Sequence, residues 1–365
     1  MTEPRRILSI SGGGVRGIIA VAFLEAVEGI YRARRGPDAR LCDVFDLVGG
    51  TSTGALIAAA VALGHPMEQV ADFYLTRAKD YFKRRASWRL GLAPVYDAAT
   101  LEKEIRLEVG DVRLGDPELR TLFAVVMKRL DTGASWIVSN IPSAPYFEDP
   151  PDNSFVGNRH YPLARLLRAS TAAPVLFSQE VLEIVENEPP GVFVDGGISP
   201  YNDPSLALLM LARMQAFGLS WELGPEQLFV LSVGCGQVRR RLEPQSAASA
   251  GPLRLAAQAL MGTTWDGMNH TRMMMQWLGV PLVQEPVNSE VGTLAEDHLF
   301  GTPIFSELNL DLPFDEDRLR AAGLDVAEAT LKEYRVLDNP DIIHPLYDLA
   351  RAWCANTYDL EALLP

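Results

Sequence analysis

A pentapeptide of the pattern Gly-x-Ser-x-Gly occupies residues 50–54, with Ser52 at its centre, and it constrains the fold more than any other stretch. The apolar residues 44–48 predict a buried strand before it, and the Ala- and Leu-rich residues 55–63 predict a helix after it. A serine at such a sharp strand-to-helix turn is the nucleophile-elbow pattern, in which the hydroxyl is exposed and the flanking glycines allow a close approach. The helix N-terminus adds free N–H groups and a positive dipole end. We therefore expect Ser52 to be a nucleophile.

Residues 12–14 form a second glycine-rich turn, between a predicted strand at 7–10 and a predicted buried helix at 18–30. Backbone N–H groups in such a turn can stabilise the oxyanion of an acyl-transfer intermediate. Because consecutive strand–helix units are usually neighbours, we expect this loop to lie beside Ser52. Gly-x-Ser-x-Gly also occurs by chance in glycine-rich loops, so the second turn is needed to support the nucleophile interpretation.

The same loop also fits the dinucleotide-binding pattern Gly-x-Gly-x-x-Gly, at Gly12, Gly14 and Gly17. That pattern requires an acidic residue at the end of the next strand, about 20 residues further on. The nearby positions 32, 34 and 35 are arginines, and Asp38 lies in a Gly-Pro turn outside any predicted strand. A dinucleotide-binding oxidoreductase is therefore weakened as an alternative but stays open.

A serine nucleophile needs a proton acceptor, which is most often a histidine. Asp195 is the acidic residue whose setting matches that of Ser52, because it follows the apolar residues 192–194 and precedes two glycines. A simple glycine turn is the alternative interpretation of this stretch. A Ser–Asp pair is chemically reasonable if burial raises the basicity of the carboxylate. The histidines fit structural roles better, in helical or polar loop contexts: His65, His160, His270, His298 and His344.

The composition is that of a globular protein without a nucleic-acid partner. Apolar residues make up 48% and charged residues 22% of the chain, and the formal net charge of -14 lacks the basic footprint that nucleic acids require. Three widely spaced cysteines suit a reducing compartment. We see no signal-peptide pattern, and no apolar run approaches the roughly 20 residues of a membrane-spanning helix. We expect a soluble, cytoplasmic protein that contacts membranes only peripherally.

Several further elements follow from hydrophobic patterning. Residues 122–127 and 136–138 predict two antiparallel strands, residues 163–170 a short helix, and residues 228–233 a buried strand. Residues 253–278 predict a long helix or a pair of helices.

Two basic clusters, at residues 83–85 and 239–241, are most simply solvated faces. The alternative is that they bind phosphates, either of lipid headgroups or of a soluble ligand.

Four segments together resemble the patatin-like phospholipase family: residues 11–17, 50–54, 168–177 and 195–204. They occur in the order of the family, within a likeness that spans about residues 5–240. The resemblance implies an α/β fold of three layers, α/β/α, with a mostly parallel central sheet. It implies a catalytic domain over residues 5–240, and we expect residues 241–365 to form a mainly helical C-terminal extension packed on it.

The resemblance also implies the roles of the site residues. Ser52 would be the nucleophile and Asp195 the base, in a dyad without histidine. No metal and no dissociable cofactor are implied. The oxyanion hole would be formed by the glycine loop, with a nearby arginine, and by the first amide after the nucleophile: Gly12, Gly13, Gly14, Arg16 and Thr53.

The expected reaction is hydrolysis of fatty-acyl esters through an acyl-serine intermediate. The expected substrate is a phospholipid or another acyl ester at a membrane surface. Some bacterial members of the family are activated by a cyclic nucleotide, so such an activator stays open here, as does a homodimer.

Two positions depart from the family pattern. Ser11 stands where the family often has Asp, and Asp203 stands in Asn202-Asp203-Pro204 where the family commonly has a second Asn. The second change bears on how the loop after Asp195 is supported.

Overall fold

A mixed sheet of nine strands runs through the part of the chain that the computed structural model describes, namely residues 3–81, 94–152, 154–185, 188–238, 251–294 and 296–365. The strands are β1 Arg5–Ile10, β2 Leu47–Thr51, β3 Leu122–Arg129, β4 Ser135–Ser139, β5 Glu180–Leu182, β6 Gly191–Asp195, β7 Leu228–Val233, β8 Val280–Pro281 and β9 Ser306–Leu310. The helices are α1 Gly17–Arg35, α2 Thr53–Ala62, α3 Met67–Tyr81, α4 Ala98–Val109, α5 Leu163–Ser170, α6 Ser205–Arg213, α7 Pro252–Leu278, α8 Glu316–Ala321, α9 Glu328–Tyr334, α10 Ile343–Thr357 and α11 Leu360–Leu363.

The sheet has the order β5-β6-β3-β2-β1-β7-β9-β8, and β4 also pairs with β3. Strands β1, β2, β3, β7, β8 and β9 are mutually parallel, whereas β4 and β6 run antiparallel to β3. The prediction of a mostly parallel sheet is therefore confirmed.

The end of β2 meets the end of β6 beside β3. A strand has two edges, and β4 pairs along one edge of β3 from Ala124 to Lys128. The other edge is shared by two strands. Strand β2 pairs with β3 as far as Thr51, which is opposite Val126. The last residue of β6, Asp195, is opposite the next residue of β3, Met127. Two strands that point toward each other thus end at neighbouring positions of the same strand.

Helices cover both faces of the sheet, which confirms the predicted three layers. Side chains alternate along a strand, so Leu8 packs into a core formed with α1 to α5 and α8 to α11. Ile7 points to the opposite face and packs into a second core formed with α6 and α7. Helix α1 is buried almost all round over its first half, as its uniformly apolar sequence predicted.

The strand before the pentapeptide lies three residues later than predicted, at Leu47–Thr51. Val44 and Phe45 are apolar because their side chains reach the core from a turn, where Phe45 is buried and packs edge-on against Tyr31. Asp46 ends that turn, since its carboxylate accepts a hydrogen bond of 2.8 Å from the Arg6 amide. The strand then runs through the glycines, and α2 begins directly after Ser52.

The hairpin β3–β4, helix α5 and strand β7 confirm their predictions. Residues 253–278 belong to a single helix, α7, rather than to a pair.

The segment predicted to be a mainly helical extension also supplies strands β8 and β9, and β9 pairs in parallel with β7 inside the sheet. Strand β9 lacks the apolar pattern of a core strand because its sequence contains polar residues. Glu307 is buried there and accepts a hydrogen bond of 3.1 Å from the Ser232 hydroxyl. Burial raises the pKa of Glu307 to about 8, so the carboxyl group is mostly uncharged at neutral pH. An uncharged carboxyl group is less costly to bury in the sheet than a carboxylate. The domain boundary at residue 240 stays a prediction and lies outside the described residues.

The basic clusters at 83–85 and 239–241 also lie outside the described residues. Within the described ranges, no helix combines the length and the apolar character needed to cross a bilayer.

Candidate active site

Ser52 stands at a strained turn between β2 and α2. Its backbone has φ 56° and ψ -128°, a region that non-glycine residues rarely adopt and that costs about 1–3 kcal/mol. The turn is tight enough to require both glycines of the pentapeptide. A Cβ on Gly50 would lie 2.1 Å from the Gly54 carbonyl oxygen, and one on Gly54 would lie 2.2 Å from the Ile10 carbonyl oxygen. The elbow predicted from the sequence is therefore present.

Ser170, at the end of α5, holds the strained turn in place. Its hydroxyl accepts a hydrogen bond of 2.9 Å from the Ser52 backbone N–H and donates one of 2.6 Å to the Val126 carbonyl. The serine is completely buried, so both bonds are shielded from water. Sequence reasoning included Ser170 in a matching segment but gave it no role.

Asp195 ends β6 and contacts Ser52 directly. The Ser52 hydroxyl donates a hydrogen bond of 2.6 Å to Asp195 Oδ2, and the Gly197 amide donates one of 2.7 Å to Oδ1. The Asp195 N–H donates to the Ala172 carbonyl at 3.0 Å, which fixes the end of the strand. The head-to-head meeting of β2 and β6 brings these two side chains together.

The Asp195 side chain is basic for a carboxylate. It is 4% exposed, and this burial raises its pKa to about 6. The hydrogen bonds from Ser52 and Gly197 and the positive charge of Arg168 act in the opposite direction, but desolvation dominates. A carboxylate with such a pKa is a stronger proton acceptor than a solvated aspartate and is still ionised at neutral pH.

The glycine loop lies against the elbow. A Cβ on Gly12 would lie 3.1 Å from the Ser52 Cβ, so the loop and Ser52 are in contact. The Gly12 N–H donates to the Asn202 carbonyl at 3.0 Å, and the Gly13 N–H donates to the Thr53 hydroxyl at 3.2 Å. The N–H groups of Gly14 and Thr53 make no hydrogen bond to another described residue, and both residues line the cavity described below. These two amides can therefore donate to an incoming oxygen atom.

A cavity of about 770 Å³ opens from Ser52 and Asp195. All the predicted site residues line it: Gly12, Gly13, Gly14, Arg16, Ser52, Thr53 and Asp195. Beyond the serine its wall is mostly apolar, with the charged Glu104 and Glu108 on α4 as exceptions. The apolar residues come from α2 and the position after it, from α3 and from α4: Leu56, Ala60, Leu63, Phe73, Leu101 and Ile105. This shape and lining suit a long hydrocarbon chain.

Arg16 is buried beside the loop, with its guanidinium 5.6 Å from the centre of the Phe314 ring. Of the five histidines, His65 alone lines the cavity. His160 pairs with Asp149 at 2.6 Å, and His344 contacts the Leu75 carbonyl at 3.1 Å, as their structural interpretation expects.

Asn202 is a supporting residue whose role the sequence did not reveal. Its side-chain amide donates to the Gly12 carbonyl at 3.2 Å, while its backbone carbonyl accepts from the Gly12 N–H. Asp203, which departs from the family pattern, is buried, and its carboxylate accepts a hydrogen bond of 3.0 Å from the Ser205 amide at the start of α6. The available signal for Asn202 was its place in segment 195–204, but that segment pointed to the loop after Asp195 and not to the glycine loop.

Helix α7 closes one side of the cavity. The Thr264 hydroxyl donates to the Gly197 carbonyl at 2.9 Å, next to Asp195, and Trp265 and Met268 line the wall. Among the described residues, no group of three or more His, Cys, Asp or Glu side chains is arranged to hold a metal ion.

A family model described as patatin-like phospholipase matches residues 8–209, which is more than half of the chain and contains both Ser52 and Asp195. Patatin group M-3 of Solanum tuberosum is 26% identical over 274 residues, which cover 70% of this chain and 67% of that protein. A cGAMP-activated phospholipase of Escherichia coli strain TW11681 is 27% identical over 242 residues.

That match covers 64% of this chain and 62% of the E. coli protein, so the chain spans less than two thirds of that relative. Among solved structures, human GIVD cytosolic phospholipase A2 is 13% identical, with a TM-score of 0.45, over 99% of this chain and 62% of that chain. This last similarity is too low to bear on function. The family match covers the elbow, the glycine loop and the Asp195 turn, and the chain therefore belongs to the patatin-like phospholipase family of ester-hydrolysing enzymes.

Proposed function

We propose that the protein hydrolyses fatty-acyl esters of phospholipids, with Ser52 as nucleophile and Asp195 as general base. The observation that carries this proposal is the 2.6 Å hydrogen bond from the Ser52 hydroxyl to a buried carboxylate of raised pKa, at the end of an apolar cavity. Family membership supports the reaction class, and the apolar wall supports a long acyl chain as the group that is transferred.

In the first half of the reaction, Asp195 accepts the proton of the Ser52 hydroxyl while Oγ attacks the ester carbonyl carbon. The carbonyl oxygen becomes an oxyanion and accepts hydrogen bonds from the N–H groups of Gly14 and Thr53. The Gly13 N–H joins them if the Thr53 hydroxyl turns away. The C–O bond then breaks, and Asp195 delivers its proton to the leaving alcohol.

In the second half, Asp195 accepts a proton from a water molecule that attacks the acyl–Ser52 ester. The same amides stabilise the second oxyanion. Breakage of the bond to Ser52 Oγ releases the fatty acid, and the proton on Asp195 returns to the serine.

The activity is expected to rise with pH through about 6. The base must be ionised to accept a proton, and burial raises the Asp195 pKa to about 6, so kcat/KM falls as the pH drops below that value. Measuring kcat/KM on a neutral short-chain ester from pH 4 to 8 reports the pKa of the free enzyme. An acidic limb near pH 4, typical of a solvated aspartate, would argue against Asp195 as the base.

Val175 is proposed to contact the lipid surface at the rim of the cavity. It is 77% exposed, lines the cavity and has φ 72°, a strained value for a β-branched residue. An exposed apolar side chain held at cost beside the site suits insertion into a bilayer. Val175→Asp is expected to lower hydrolysis of phosphatidylcholine vesicles about tenfold and to spare a soluble short-chain ester.

Leu107→Asp is the matched control, because Leu107 is 62% exposed on α4 and does not line the cavity. Equal losses on vesicles for the two variants would show that rim contact is not specific to Val175. An equal loss on both substrates for Val175→Asp would indicate damage to the site instead.

Activation by a cyclic nucleotide is a second candidate, favoured by the name of the E. coli relative. It predicts low basal turnover that rises on addition of cyclic dinucleotides. Calorimetric titration of the purified chain with 2′,3′- and 3′,3′-linked cyclic GMP–AMP tests this candidate, and no binding heat together with unchanged turnover would remove it.

A further inference from the structure

The loop that follows α9 reaches the glycine loop from the C-terminal part of the chain. Residues 335–338 line the cavity, although the family model ends at residue 209. The Leu337 carbonyl accepts a hydrogen bond of 2.9 Å from the Val15 N–H, immediately after the glycines. Gly14 has φ 59°, and a Cβ there would lie 2.2 Å from the Leu337 oxygen, so the two backbones pack directly together.

Asp338 anchors this contact to Tyr96, which packs behind two residues of the cavity wall, Leu176 and Phe177. The Tyr96 hydroxyl donates hydrogen bonds to Asp338 Oδ2 at 2.9 Å and to the Asp338 carbonyl at 3.2 Å. Tyr96 is fully buried, its ring lies 5.5 Å from that of Phe177, and its N–H donates to the Leu176 carbonyl at 2.9 Å. The tyrosine therefore holds Asp338 at a fixed place relative to the residues after α5.

Arg335 anchors the other end of the same loop. Its guanidinium donates to Glu328 Oε1 at 2.7 Å on α9 and to the Phe314 carbonyl at 2.9 Å. Phe314 is the ring that faces the Arg16 guanidinium beside the glycine loop. Residues 335–338 are thus fixed at both ends. Between these ends, Leu337 packs against the turn that carries the Gly14 amide.

We infer that this loop positions the oxyanion hole, with Asp338 as a positioning residue that acts through the Leu337 carbonyl on the Gly14 and Val15 amides. The inference rests on the proposed function, because it assigns the Gly14 N–H to the oxyanion. An oxyanion donor must lie within a few tenths of an ångström of its place, and displacing it weakens stabilisation of the transition state more than it weakens substrate binding. The loop therefore acts on kcat rather than on KM.

The test compares Asp338→Ala, Asp338→Asn and Tyr96→Phe in the full chain, with a soluble p-nitrophenyl ester as substrate. Asp338→Ala is expected to lower kcat about tenfold with KM within about twofold of wild type. Asp338→Asn keeps an oxygen that accepts from Tyr96 and is expected to restore most of kcat. Tyr96→Phe should lower kcat at least as much as Asp338→Ala, because it removes the bond to Oδ2 and also the bond to the Asp338 carbonyl. The double variant should be no worse than Tyr96→Phe, because the bond to Oδ2 is common to both changes.

Glu333→Ala, on the exposed side of α9, is the matched control and should leave kcat unchanged. Three results would overturn the inference. They are a kcat of Asp338→Ala equal to that of wild type, a kcat of Asp338→Asn as low as that of Asp338→Ala, and losses of kcat in Asp338→Ala and Tyr96→Phe that add fully in the double variant. If Asp338→Ala does not fold, Tyr96→Phe alone decides. That change also removes the hydrogen bond to Asp338 Oδ2, and it deletes only the hydroxyl oxygen of Tyr96.

Labelling of wild-type Ser52 with a fluorophosphonate separates this result from failure of the proposed function. No label and no ester hydrolysis in wild type would refute the serine hydrolase mechanism. A labelled, active wild type with an equally active Asp338→Ala variant would refute only the role of the loop.

Discussion

Replacing Ser52 by alanine is expected to lower kcat by a factor on the order of 10⁶, because the acyl-enzyme cannot form without the nucleophile. The change removes one oxygen atom, and the elbow is held by the Ser52 backbone N–H rather than by its side chain. The fold should therefore remain, with a single thermal unfolding transition. The measurement is hydrolysis of a p-nitrophenyl ester together with fluorophosphonate labelling and peptide mapping by mass spectrometry.

The label should be found on Ser52 in the wild type and should disappear in Ser52→Ala. Ser143→Ala is the matched control, because the Ser143 hydroxyl donates to the Phe217 carbonyl in an exposed loop. A label that persists in Ser52→Ala, or activity within tenfold of wild type, would assign the nucleophile elsewhere.

Replacing Asp195 by asparagine is expected to lower kcat by about 10⁴ or more, because the amide cannot accept the proton of the Ser52 hydroxyl. The amide is close in size to the carboxyl group, and its oxygen can still accept from the Gly197 N–H, so the turn after β6 should be retained. The losses in Ser52→Ala and in a double variant should be nearly equal, since a nucleophile and its base act as one unit. Rates of p-nitrophenyl ester hydrolysis by the two single variants and the double variant give the comparison.

A histidine variant gives the decisive control. His65 lines the cavity, so His65→Ala would abolish activity if an imidazole were the base. We expect His65→Ala to keep most of the activity. Loss of activity in His65→Ala with retention in Asp195→Asn would refute the Ser–Asp dyad.

The elbow was predictable because its evidence is local. The strand, the Gly-x-Ser-x-Gly turn and the helix are contiguous in the sequence, although only Gly50 is required by a contact inside the pentapeptide and Gly54 is required by the Ile10 carbonyl of β1. Asp195 was found for a similar reason, since its apolar strand and following glycines are contiguous in the sequence. Its antiparallel direction was not predicted, because pairing between distant strands leaves no local pattern.

The contacts that support the site escaped sequence reasoning because they join distant parts of the chain. Leu337 acts on the glycine loop through its backbone carbonyl. Every residue has this group, so the residue type at position 337 gives no sign of the contact. Strand β9 was missed because its buried Glu307 breaks the apolar pattern expected of a core strand. In both cases tertiary packing overrides the signals that a short window of sequence contains.

Because β2 and β6 both end beside β3, their pairing with β3 sets the distance between the two proposed catalytic residues. Thr51 is opposite Val126 and Asp195 is opposite Met127, so main-chain hydrogen bonds to consecutive residues of one strand set the spacing of Ser52 and Asp195.

Within the connection between β3 and β6, Ser170 and Ala172 support this spacing through their hydrogen bonds to Ser52 and Asp195. Substitutions at exposed positions just beyond them, such as Val175, can reshape the mouth of the cavity, and with it the choice of substrate, while the spacing of Ser52 and Asp195 is retained.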